Sequence, residues 1–162
     1  MKRLILACLP LLFAMLSCGG PNYDNDWEFD PIYICFEVVN SNGENLFEDT
    51  TTDNWISLAI TCTFGTDSYS FPFVPQSNEV LCLRIADFHD STTGKKTTAF
   101  CFGPIPGDED VNSKLTVTWP DGTTNTVSVF NEVKWNASSG PEVTRSIKMN
   151  DKNYNGLIKL TK

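Results

Sequence analysis

The chain has 162 residues, 41% of them hydrophobic, and a formal net charge of −8. That length supports one domain with its own core. The acidic balance argues against nucleic acid and against anionic lipid surfaces as partners, since both would repel it. A single histidine, His89, leaves no histidine-built zinc site unless cysteines join it, and little material for a Ser/His/Asp arrangement.

The N-terminus reads first. Lys2 and Arg3 precede an apolar run from Leu4 to Leu16, interrupted by Pro10. Such a run suits a signal peptide and falls short of the about 20 apolar residues that span a bilayer. It ends in Met15-Leu16-Ser17-Cys18-Gly19, which resembles the lipobox of bacterial lipoproteins. The resemblance implies cleavage after residue 17 and a lipid on the Cys18 thiol, so that the mature protein is membrane-anchored rather than spanning. An ordinary secretory signal with an incidental cysteine is the alternative. Residues 1–17 carry two basic and no acidic side chains, so the remaining 145 residues carry a charge of −10.

Residues 18–30 are polar and acidic without periodicity and read as a flexible tether. Asp24, Asp26, Glu28 and Asp30 resemble the acidic signal that sends lipoproteins of Bacteroidota to the outer face of the outer membrane. Residues 31–162 read as a single β-domain. Ile32 to Val39 is β-branched and aromatic and ends at the turn cluster Asn40-Ser41-Asn42-Gly43. Trp55 to Phe64 alternates apolar and polar residues as a half-buried strand does. Ser68 to Val74, Val80 to Ile85, Thr97 to Phe102 and Leu115 to Trp119 follow as further strands. Asp121-Gly122 marks a hairpin turn into a strand from Asn125 to Val133. Arg145 to Met149 and Leu157 to Leu160 close the pattern around the turn-rich Asn150 to Gly156. No helical periodicity is sustained, and eight or nine short strands predict an all-β antiparallel sandwich, immunoglobulin-like or transthyretin-like.

The lipobox, acidic tether, opening strand with the segment Asn40 to Phe47, hairpin Thr118-Trp119-Pro120-Asp121-Gly122-Thr123 and closing Asn150 to Lys162 together resemble small lipoproteins of Bacteroidales. Those are mostly families of unknown function with immunoglobulin-like folds. The resemblance implies a sandwich on a lipid anchor and transfers no functional residues.

Chemistry has few candidates. Cys35, Cys62, Cys82 and Cys101 fall inside predicted strands. Outside the cytosol an even count suggests disulfides, yet one cross-strand bond with two buried thiols fits as well as two bonds. Asp151-Lys152-Asn153-Tyr154-Asn155-Gly156 matches half of a calcium loop, but Lys162 stands where its bidentate glutamate belongs, so it reads as an Asx-rich turn. No metal and no cofactor are expected. Asp49-Thr50-Thr51 and Asp90-Ser91-Thr92 resemble short O-glycosylation sites of Bacteroidota, at Thr50 and Ser91. Trp55 and Trp119 read as core. Trp135, with Asn131, Asn136 and Ser138 in a polar segment, reads as an exposed contact surface. The expectation is a non-catalytic envelope module that binds a protein or glycan partner. The alternatives are an assembly subunit of an outer-membrane complex and a hydrolase built on scattered carboxylates.

Overall fold

The computed structural model describes residues 27–48, 51, 54–71, 81–89, 94 and 96–162. The signal peptide, Cys18, the tether up to residue 26, Thr50 and Ser91 lie outside the described residues. Ten strands form among the described residues: β1 (Ile32–Val39), β2 (Ile60–Phe64), β3 (Asp67–Phe71), β4 (Cys82–His89), β5 (Lys96–Ile105), β6 (Val111–Thr118), β7 (Thr124–Asn136), β8 (Gly140–Met149), β9 (Lys152–Tyr154) and β10 (Leu157–Thr161). They build one sheet of order β10-β1-β5-β4 and another of order β3-β2-β6-β7-β8-β9. The two sheets pack face to face as the expected all-β sandwich. Every pairing is antiparallel except β1 with β10. An immunoglobulin domain keeps its first strand beside its second. Here β2 lies in the opposite sheet and β1 sits between β5 and β10.

Alternation explains the core. Ile34, Phe36 and Val38 of β1 and Phe100 and Phe102 of β5 face Ile60, Leu115, Val117, Val127 and Val129 from the other sheet, all essentially inaccessible to water. Trp119 lies at the centre of an aromatic cluster, its ring 5.4 Å from that of Phe36, 5.6 Å from Phe100 and 6.0 Å from Trp55. Its indole N–H donates to Asn125 Oδ1 at 2.7 Å, so the one polar atom of the side chain is satisfied. Trp55 and Trp119 are thus core residues. The turn after Trp119 forms as expected: Gly122 adopts φ 78° and its N–H donates to the Trp119 carbonyl. Asp121 accepts from both the N–H and the hydroxyl of Thr123.

One expectation needs adjustment. Alternation from Trp55 predicts one long strand, whereas the strand begins at Ile60. Trp55 donates its N–H to the Leu46 carbonyl and Leu58 bonds back to Trp55, so this stretch is a turn that drops the indole into the core and leaves Leu58 exposed. His89 closes β4 opposite Lys96. Asn150 and Asp151 both take left-handed φ, 51° and 61°, between the paired residues Met149 and Lys152. That is the signature of a two-residue hairpin turn, and the calcium-like letters encode this bend.

Cys35 and Cys101 are opposite one another in the β1–β5 register and form a disulfide. It lies on the outer face of the four-stranded sheet, in a small cluster with Ala99, Ala86, Phe88 and Leu157. Cys62 and Cys82 are buried free thiols, and burial pushes the Cys62 thiol up to about 12.

Candidate functional site

β7 and β8 outrun the sandwich. Their register continues from Val129 opposite Ile147 in the core to Asn136 opposite Gly140 at the tip. Side chains on a strand alternate between faces. The core face of β7 therefore runs Val127, Val129, Asn131, Val133, Trp135, and β8 adds Arg145, Val143 and Pro141 opposite the last three. Val127 and Val129 are covered by the opposite sheet, whereas Trp135 is 67% and Val143 42% exposed. The two strands form an arm whose inner face is a stretch of core without a cover. Its other face is charged: Lys134 pairs with Glu132 at 2.8 Å, and Glu142 and Thr144 are exposed. The hydrogen bond from Lys134 to Glu132 holds that ammonium above its usual range.

The apolar face has a companion. Trp27 lies over the tip, where a side chain on Gly140 would collide with its ring. Phe29 meets Trp135 edge-on with ring centres 6.1 Å apart. The Asp30 carbonyl accepts from Arg145 Nη2 at 3.0 Å. Residues 27–30 therefore run beside β8 from tip towards base. This corrects the reading of residues 18–30 as tether throughout, because Trp27 and Phe29 are apolar surface that the arm partly buries. Nothing local in the sequence marks this contact, since its partners are more than a hundred positions away.

Asn131 is the second correction. It is 1% exposed, with Nδ2 donating to the carbonyls of Gly107 and Glu109 at 3.1 and 2.7 Å and Oδ1 accepting from Arg145 Nε at 3.0 Å. It is a structural amide that ties the loop before β6 to β7. Its phase, two residues beyond Val129, is that of a core position. Asn136 and Ser138 are exposed at the tip, but they serve each other: Asn136 Oδ1 accepts from the N–H of Ser138 at 3.0 Å and from its hydroxyl at 2.8 Å. Of the four residues expected to form a contact surface, Trp135 offers the large exposed apolar face.

The opposite end of the sandwich is built differently. The crossover from β1 to β2 is pinned to β5 through polar side chains. Asn45 Nδ2 donates to Thr97 Oγ1 at 3.2 Å and to the Thr98 carbonyl at 2.7 Å, and its Oδ1 accepts the Phe47 N–H. Thr97 in turn donates to Glu37 Oε1 at 2.9 Å, while Lys159 Nζ stands 3.2 Å from Oε2. Glu37, Asn45, Thr51 and Thr97 are all buried. They floor a recess of about 320 Å³ whose rim includes Glu44, Glu48 and Lys96. No group of three or more metal-ligating side chains is arranged for a metal among the described residues.

Comparison with protein-family models, with curated proteins and with solved structures finds no match for this chain.

Proposed function

We propose that the chain is a lipid-anchored, surface-exposed outer-membrane module that binds a protein or glycan partner and performs no chemistry of its own. The lipobox at Cys18 and the acidic residues behind it support the address. A lone histidine without a nucleophile motif supports the non-catalytic part. The observation that carries the reading is the path of residues 27–30. They approach the domain along the arm, so the anchor meets the arm end and the pinned crossover with its polar recess faces away from it.

Loops held by a rigid scaffold are where such domains usually carry their contacts. The crossover fits that role, since its buried hydrogen bonds fix the polar groups of the recess before any partner arrives, which lowers the ordering cost of binding. The test is photo-crosslinking on intact cells, with the reactive side chain placed at Asn42 beside the recess or at the exposed Ser128 of β7 in the other sheet. The expected result is a discrete protein or glycan adduct from Asn42 and none from Ser128. No adduct from Asn42, or hydrolysis of a polysaccharide by the purified protein, would overturn the proposal.

A further inference from the structure

The arm presents a chemically one-sided surface. Trp27, Trp135 and Val143 are three of the exposed large apolar side chains among the described residues; Trp135 and Val143 share one face of the hairpin, and Trp27 packs at its tip against Gly140. A sugar needs hydrogen-bonding groups beside the ring it stacks on. Of the nearest ones, the Asn136 side-chain carbonyl oxygen is already taken by Ser138. An apolar or interfacial occupant fits better. Tryptophan suits such a layer because its ring is apolar while its N–H seeks water, which is why it is enriched where bilayers meet water.

Chain length identifies which surface is in reach. Nine residue steps separate Cys18 from Trp27, and an extended chain covers at most about 3.6 Å per residue, so Trp27 stays within about 30 Å of the lipidated cysteine. Residues 27–30 approach from the tip of the arm, so the tip is the part of the domain held nearest to the membrane. The charged side chains Glu132, Lys134 and Glu142 lie on the opposite face of the arm.

We infer that the apolar face of the arm seats in the interfacial layer of the bilayer carrying the Cys18 lipid, with Trp27, Trp135 and Val143 as the contacting side chains. The inference rests on the lipid-anchor reading. The Cys18 lipid tethers the chain without orienting it. The arm's contact fixes orientation, standing the sandwich on its arm with the recess of the crossover outward.

The test uses the full chain, lipidated in cells and reconstituted into phosphatidylcholine–phosphatidylethanolamine vesicles with brominated or ordinary acyl chains. Trp55 and Trp119 are buried in the core, so Trp27 and Trp135 report on the lipid. Brominated lipid should quench the wild type, and Trp135→Ala should lose about half of that quenching because one of two reporters is gone. Val143→Asp should still float with the vesicles and lose the quenching, since it places a charge on the contacting face and leaves the anchor intact. Flotation of the wild type and of Cys18→Ala reads the anchor separately. Wild type that fails to float removes the anchor and the docking together. Wild type that floats without quenching, or Val143→Asp that quenches like wild type, overturns the docking alone. Shielding of Trp135 from acrylamide that arises only when envelope protein or polysaccharide is added would overturn it too, in favour of that occupant.

Discussion

Replacing Asn131 by Ala should destabilise the domain far more than a surface substitution could. The side chain is 1% exposed and makes three hydrogen bonds: two donated to the carbonyls of Gly107 and Glu109, and one accepted from the charged Arg145. A neutral bond contributes about 1 kcal/mol net and a bond to a charged group about 1.5–3 kcal/mol, with an added cost where a partner is left buried and unsatisfied. The expected loss is about 4 kcal/mol, against the ±0.5 kcal/mol or so typical of exposed positions. For a domain of this size that corresponds to a fall in Tm of roughly 10 °C. Thermal and urea unfolding of the mature chain reads it. Asn131→Asp sharpens the test, because it keeps an acceptor for Arg145 but turns both donors into acceptors facing carbonyl oxygens. It should be at least as destabilised as the alanine variant. A loss below about 0.5 kcal/mol for Ala, or an aspartate variant as stable as wild type, would refute the structural role and restore Asn131 to the surface.

Four further outcomes are expected. Cys35→Ala/Cys101→Ala removes a bond closing 66 residues of sequence and should cost about 4 kcal/mol on the chain-entropy model, seen as a lowered urea midpoint. Alkylation of the folded, unreduced wild type should leave Cys62 and Cys82 unmodified. The Cys62 thiol, raised to about 12 by burial, titrates above its unfolded value, so its stabilisation is complete below about pH 8.5 and is lost as the pH rises towards 12. Urea unfolding across that window should steepen in the wild type and flatten in Cys62→Val. Gly140→Ala forces a side chain into a left-handed backbone position, φ 82°, and into the Trp27 ring. It should free Trp27 and raise its acrylamide quenching, while near-ultraviolet dichroism of the buried tryptophans stays unchanged.

Strand positions and core aromatics were legible because period-2 alternation and turn letters are local signals. Trp119 with Asp121-Gly122, and the apolar face of Ile34, Phe36 and Val38, follow from them directly. Asn131 was not legible, since its polar letter suggests surface while only its phase, continuous with Val127 and Val129, marks it as inward. The same phase extends the apolar face to Val133 and Trp135 and could have revealed the arm. Contacts between distant segments left no local trace. The packing of Trp27 and Phe29 on the arm and the pairing of Cys35 with Cys101 depend on register and topology that no stretch of sequence carries alone. The apolar cover on the outer side of Cys35 likewise comes from β4 and β10.

The parallel pairing of β1 with β10 bears on when the protein can become itself. Among the described strands β1 is synthesised first, yet one of its neighbours is β5 and the other is β10, which is synthesised last, with Cys35 opposite both Cys101 and Leu157. Until Leu157–Thr161 exists, that flank of β1 has no strand to pair with, and pairing across such separations is slow. A nascent chain of this topology leaves its four-stranded sheet open until β10 has been made. Openness is a hazard for a protein folding on the ribosome, because unpaired strands aggregate. Under the export we propose from the lipobox, the same delay is an advantage, because a chain crossing a membrane has to stay unfolded until it has passed.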